Sequence, residues 1–519
     1  MKLWQADNQD GTYTNPVLHT DYSDPDVICV GEDFYMISSS FTYVPGVPLL
    51  HSKDLVNWEC INYCVRELPL ERYRQPAHGC GTWAPAIRYY SGVFYAFIPL
   101  PDEGIFVTRA IDPYGEWSTL TCIKEAKGWI DPCPFWDENG KAYMIHAYAH
   151  SRCGIKHKLS ISEMKPDATE LIGEDILVYD GTQDNPTVEG PKLYSKDGWY
   201  YIFAPAGGVA TGWQLVLRSR NIFGPYESKK VLHQGDSRIN GPHQGAWVTA
   251  ADGRDWFVHF QDAGIYGRIV HLQPLRWANG WPVIGIDSNN DGIGEPVLTY
   301  EMPVKKYNGC PYYISAQDDF HSRELGFQWQ WQANPSEKWY SLTERPGYLR
   351  LYAMRNEVGR ENLLWYLPNL LTQMLQRPDF HVKAELFISG LQTGDMAGIG
   401  ILGHCYNSLN VKRVEIGFEI GILEGEVLEI QGTGIAKERI QTLECIQTDI
   451  LTVLLDFTNQ GTYQFAYQSA AGERKFCSQV FTAQVSTWTG AKLMLFCLNR
   501  ENRQSSGYLD VKSFTVNPL

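Results

Sequence analysis

The chain has 519 residues, 44% of them hydrophobic and 20% charged, with a formal net charge of −15. That length exceeds what one hydrophobic core organises and calls for two or three domains. The acidity excludes nucleic acid and anionic membrane surfaces as partners, because both recruit clustered Lys and Arg.

Aromatic residues are abundant, with 17 Trp, 30 Tyr and 21 Phe. β-rich cores and proteins that stack sugar rings both have this composition. Twelve cysteines are spread over the chain, none in a C-x-x-C. The nearest pair, Cys60 and Cys64, has no His/Cys partners to complete a zinc site. The first residues, "MKLWQADNQDGTY", lack the apolar core of a signal peptide, and no run is long enough to span a bilayer. A reducing, cytoplasmic setting is therefore expected.

In chain order, five stretches repeat one pattern. They are "DPDVICVGEDFYMISSS" from Asp24, "APAIRYYSGVFYAFIPL" from Ala84, "DPCPFWDENGKAYMIHAYA" from Asp131, "EGPKLYSKDGWYYIFAPA" from Glu189 and "HQGAWVTAADGRDWFVHFQ" from His243. Each opens with a small or Pro-containing turn, runs through a short apolar strand to a polar Gly/Asp turn, and enters a second strand led by aromatics. That is a β-hairpin signature, recurring at roughly 50 to 60 residues as propeller blades do. Segments such as "LLHSKDLVNWECI" and "WQLVLRSRNIFGPYES" supply the remaining strands. The expected fold is all-β, beginning with a five-bladed β-propeller over roughly residues 10 to 300. A sandwich of the same strands would give no reason for the repeat.

In a propeller the first strand of each blade lines the axis, so the opening residues of the repeats converge. Asp24, Asp131 and Glu189 hold nearly matching places in blades one, three and four. Trp83-Ala84-Pro85 and His243-Gln244-Gly245 stand there in blades two and five. One Asp-Pro alone reads as a strand terminator. Three carboxylates on one axis repel each other, raise at least one pKa and point to chemistry. Hydrolysis of a glycosidic bond needs such a set, a base that activates water and a protonated acid, roughly 6.5–9.5 Å apart when the anomeric centre inverts. Asp24 and Glu189 form the natural pair, with Asp131 keeping Glu189 protonated by like-charge repulsion. On this reasoning Asp24 and Asp26 remain alternatives for the base.

The run "NPVLHTDYSDPDVICVGEDFYMISSSFTYVPGVPLLHSKDLVNWE", with "GTWAPAIRY", "IDPCPFWDENGKAYM", "VEGPKLYSKDGWYYIFAPAGG" and "GPHQGAWV", resembles glycoside hydrolase family 43. That family comprises five-bladed propeller enzymes acting on xylans and arabinans. The resemblance implies Asp24 as general base, Asp131 as the pKa-tuning aspartate and Glu189 as general acid, and so selects Asp24 over Asp26. It also implies Phe41 and Trp83 as aromatic walls of the terminal-sugar pocket and Arg268 as a contact to a sugar hydroxyl. Many members place a histidine of an "H-x-G" turn on the axis, where it holds calcium or its water shell. His243 takes that place here, so one Ca2+ near His243, ligated mostly by water, is expected. A second candidate, "DSNNDGIGEPV", sets Asp287, Asn289, Asp291 and Gly292 like the start of a calcium loop. Leu298 replaces the closing Glu, so a turn is the reading there.

After "GEPVLTYEMPVKKYNGCPYYIS" the repeat stops, which places the boundary between residues 1–310 and 311–519. Short alternating strands follow, interrupted by one helix-like stretch around "NLLWYLPNLLTQML". A β-sandwich is expected, and "DDF…LGFQWQWQANP…GYLRL" resembles the concanavalin-like C-terminal domain of two-domain xylosidases of the family. The whole reads as an inverting exo-glycosidase releasing β-D-xylose or α-L-arabinofuranose from xylo- or arabinoxylo-oligosaccharides. An endo-arabinanase and a non-catalytic carbohydrate-binding propeller are the alternatives.

Overall fold

The computed structural model describes residues 2–304, 312–355, 362–429, 434–470, 472–501 and 505–519. The expected boundary between residues 310 and 311 lies outside the described residues. Five four-stranded antiparallel sheets follow one another along the chain, each with its strands in sequence order. Blade I runs from Asp26–Val30 to Glu59–Val65, blade II from Ala86–Tyr90 to Thr121–Glu125, and blade III from Trp129–Trp136 to Leu171–Asp180. Blade IV runs from Lys192–Lys196 to Glu227–Leu232, and blade V from His243–Thr249 to Trp281–Ile284.

The hairpins form where the sequence places residues that tolerate positive φ. Ser91-Gly92 and Asp197-Gly198 turn blades II and IV with φ of 49° and 83°, and 51° and 71°. Two successive positive φ values match the right-handed twist of the flanking strands. Strand alternation then buries both faces of the second strands. In blade I, Phe34 and Met36 enter the apolar cluster shared with blade V, while Ile37 and Tyr35 enter the one shared with blade II. Three further clusters fill the gaps between blades II and III, III and IV, and IV and V.

The ring is tied near its ends. Thr12–Thr14 pairs with Thr299–Glu301. Asn15 donates from Nδ2 to the carbonyls of Leu272 and Val297 at 2.8 and 2.9 Å, and its Oδ1 accepts from Leu272 N.

Residues 330–518 form two seven-stranded antiparallel sheets packed over one large apolar cluster. The stretch expected to be helical becomes a single 3-10 turn, Leu364–Tyr366, followed by the strand Leu371–Met374. Pro368 between them has no N–H to continue a helix, and Gln332 Nε2 donates to the carbonyls of Trp365 and Leu367 instead.

The sandwich lies against blades I and II. Val44 and Trp331 exchange backbone hydrogen bonds of 2.9 and 2.6 Å, Asn334 pairs through its amide with both backbone groups of Leu68, and His78 stacks on Trp365 at 3.7 Å.

Candidate active site

Strand register places the axis residues relative to one another. Asp26, Ala86, Cys133, Lys192 and Ala246 pair with Ile37, Phe97, Ile145, Phe203 and Val258 of their second strands, which makes them equivalent. Asp24 and Asp131 stand two residues before this position, whereas Glu189 stands three before it, in step with Trp83 and His243. The three carboxylates are therefore not at one repeat phase. Gly190 occupies the aspartate position of blade IV, and its N–H donates to Asp131 Oδ2 at 2.7 Å.

Asp24, Asp131, Gly190 and Gln244 all have left-handed backbones, with φ of 56°, 57°, 57° and 34°. Asp pays less than most residues for this conformation because its short side chain bonds locally. In blades III and V the turn coincides with a break in strand register, between Ile130 and Cys133 and between His243 and Gly245. Such bulges re-aim side chains next to sites.

Asp24 is buried and held at both oxygens. Arg268 Nη1 donates to Oδ1 at 2.9 Å, and Ser39 Oγ donates to Oδ2 at 2.5 Å. Arg268, expected as a sugar contact, thus lies first against Asp24, with its guanidinium 4.9 Å from the Phe260 ring centre. Asp26, the other carboxylate of the motif, is fully buried and serves the blade I–II seam. Its Oδ2 accepts from Ile87 N at 2.8 Å and from Arg88 Nη1 at 2.7 Å.

The Asp131 carboxyl is raised from 3.8 to about 7. Burial is the main cause, followed by the negative charge of Glu189; Asp24 adds to it, while the Gly190 N–H and the Lys192 ammonium oppose it. Asp131 therefore lies within the field of both other carboxylates. Glu189 keeps 27% of its side chain exposed against 6% for Asp24, so Glu189 is the more accessible to solvent of the two.

His243 is buried, with Nε2 3.3 Å from Glu189 Oε1. That contact falls short of hydrogen-bond geometry, and Nδ1 also has no hydrogen-bond partner. An orphaned buried imidazole fits a ligand from outside the chain. Among the described residues no three His, Cys, Asp or Glu side chains cluster as a metal site, so an ion at His243 would depend on water for its other ligands. In the Asp287 loop the carboxylates are spent on the turn. Asp287 accepts from the N–H groups of Asp291 and Gly292, and Asp291 from that of Ile293.

Phe41 and Trp83 meet edge to face at 6.4 Å, with their segments joined by backbone bonds between Phe41 and Thr82. Arg152 from the one-turn helix His150–Cys153 sits 5.0 Å over the Trp83 ring. A third ring comes from the sandwich. Trp488, half-exposed, lies 6.0 Å from Trp83 on the loop between Thr482 and Lys492. Nothing in the sequence pattern links Trp488 to residues 400 positions earlier, and sequence reasoning missed it along with Ser39. A surface cleft of ≈ 690 Å³ along blade II, between Val93 and Thr119, contains none of these groups.

The pattern of glycosyl hydrolases family 43 matches residues 13–282. The chain belongs to that family. The pattern described as the β-xylosidase C-terminal concanavalin A-like domain matches residues 317–517 of this family 43 chain. A Xylanibacter ruminicola protein carrying the provisional name β-xylosidase is 43% identical over 426 residues, covering 81% of this chain and 76% of that protein. The β-xylosidase of Formosa agariphila is 33% identical over 98% of this chain and 91% of its own length. Among solved structures, a GH43 protein of Bacillus licheniformis superposes with a TM-score of 0.82 at 26% identity, covering 98% of this chain and all of that one. The family 43 chain is a glycosidase with the expected propeller and sandwich.

Proposed function

We propose that this glycosidase removes terminal pentoses, β-D-xylose or α-L-arabinofuranose, from xylo- or arabinoxylo-oligosaccharides with inversion. Glu189 is the acid that protonates the leaving oxygen, and Asp24 is the base that takes a proton from the attacking water. Asp131 tunes the pair. The observation that carries this reading is the buried Asp131 with its carboxyl at about 7, under the charges of both Glu189 and Asp24. Near neutral pH such a cluster holds a proton that a fully ionised set would lose, as acid–base catalysis requires.

Arg268 and Ser39 each occupy one lone pair of an Asp24 oxygen. The remaining lone pairs can accept from a water whose position is then fixed before the substrate arrives. The wall of Phe41, Trp83 and Trp488 favours a chain end over the middle of a polymer, and the β-xylosidase names of the relatives favour xylose. Calcium belongs to the proposal at His243, where it would supply positive charge beside Glu189. A rise in melting temperature on adding Ca2+, absent in His243→Ala, tests it.

The kinetic test separates the two carboxylate roles. Glu189→Gln should lose most activity on xylobiose but much less on dinitrophenyl β-xyloside, whose leaving group needs no proton. Asp24→Asn should lose both. Unchanged turnover in both variants removes the mechanism, and a wild type inert on every pentoside favours the non-catalytic binder.

A further inference from the structure

Asp21 lies just ahead of the carboxylate motif, is nearly buried, and belongs to none of the roles above. Its Oδ1 accepts from Arg268 N at 2.9 Å and from Ser23 Oγ at 3.0 Å. Its Oδ2 accepts from Gly490 N at 2.9 Å. Three parts of the chain thus converge on one carboxylate: the entry to blade I, the start of the third strand of blade V, and the sandwich loop that carries Trp488.

The approach is too tight for side chains. A Cβ on Gly267, whose φ is 73°, would come 2.1 Å from Asp21 Cγ, and one on Gly490 would come 2.4 Å from Gly267 N. The loop is further tied by Ala491 N to Ile265 O at 2.8 Å and by Ser486 N to Thr489 O at 2.9 Å. Its Thr487 Oγ1 lies 3.1 Å from His404 Nε2. A buried cation on this side is Lys492, whose ammonium stands 4.3 Å from the Tyr43 ring centre. Burial lowers that ammonium to about 8, and the charge of Asp21 works against the fall.

The carboxylate therefore touches two arms of the site. Through Arg268 N it fixes the residue whose guanidinium holds Asp24. Through Gly490 N it fixes a loop that places Trp488 beside Trp83. We propose that Asp21 is a positioning residue that joins the sandwich-supplied rim of the pocket to the Arg268–Asp24 pair, so that the grip on the substrate and the aim of the base depend on one buried carboxylate. This rests on the glycosidase mechanism proposed above. Aspartate suits the place because both of its oxygens accept. Asparagine offers one oxygen and one NH2, and in either orientation sets a donor against a donor.

The test is Asp21→Asn beside Trp488→Ala and the double variant, assayed on xylobiose. A buried donor left unpaired predicts that Asp21→Asn raises KM by about five- to tenfold and also lowers kcat. In the Trp488→Ala background the same change should add no further rise in KM, because both act through one loop. Independent, multiplying KM effects, or wild-type kinetic constants in a variant that merely melts earlier, would overturn the proposal. Should Asp21→Asn fail to fold, Ser23→Ala removes only one donor and should move KM and kcat in the same directions by about twofold. Unchanged constants there also overturn it. Hydrogen exchange separates this proposal from the functional reading beneath it. Asp21→Asn should speed exchange in the segment containing Gly490 even if no pentoside is turned over, and unchanged exchange contradicts the clamp.

Discussion

Arg268 and Asp24 form a nearly buried ion pair across the first and last blades, with Nη1 2.9 Å from Oδ1 and side-chain exposures of 13% and 6%. The pair closes the ring at the point where the proposed base, Asp24, is held. Arg268→Met leaves a buried carboxylate without its cation. It should lower kcat on nitrophenyl β-xyloside by about 10²-fold or more. Loss of activity no larger than the loss of folded protein would contradict that role.

Asp24 and Asp26 stand two residues apart in "SDPD" and should differ in the activity of their folded variants. Asp26→Asn leaves the Arg88 charge buried without its partner, which costs about 3 kcal/mol or more of stability. The molecules that remain folded should keep turning over substrate. Asp24→Asn likewise leaves a nearly buried arginine, Arg268, without its partner and should melt lower, but the molecules that remain folded should be inactive. Thermal melts run beside active-site-normalised rates check this, and the reverse pattern would show that Asp26 is the base.

Asp131 makes stability depend on pH. Its carboxyl binds a proton more tightly in the folded chain, at about 7, than at its ordinary 3.8. The folded state is therefore favoured at low pH, and this contribution is lost as pH rises from about 4 through 7, by on the order of 2–4 kcal/mol. Asp131→Asn keeps an oxygen for the Gly190 N–H and cannot ionise. It should melt higher than wild type at pH 8, with the difference vanishing near pH 4, and should be far less active. A variant less stable at pH 8 than at pH 4, relative to wild type, would contradict the burial argument.

Lys192 is a wholly buried lysine whose Nζ donates to Pro85 O at 3.3 Å, and its charge offsets part of the rise at Asp131. Lys192→Met should move the Asp131 titration upward by about one unit, visible as a shift in the pH dependence of stability. No shift would mean that the ammonium is screened from the carboxylates.

The repeat was legible because each blade buries both faces of its second strand, which forces the aromatic-led pattern seen at Phe34-Tyr35 and Trp199-Tyr200. Carboxylates at strand entrances contradict the burial around them, which marked Asp24, Asp26, Asp131 and Glu189 together, and only the family resemblance separated Asp24 from Asp26. The one-residue offset of Glu189 was not legible. It depends on register bulges and on Gly190 taking the aspartate position, which only strand pairing reveals. Trp488 and Asp21 act through contacts between the two domains, and a chain read locally contains no trace of such contacts. The expected helix around Trp365 failed because its apolar spacing fits a strand equally well and Pro368 interrupts it.

Proton NMR of the sugar first released from nitrophenyl β-xyloside tests the axis carboxylates most directly. Water activated by Asp24 on the face opposite the Glu189 proton predicts α-xylose as the initial product, with the β anomer appearing only as mutarotation proceeds. Initial β-xylose would contradict the account.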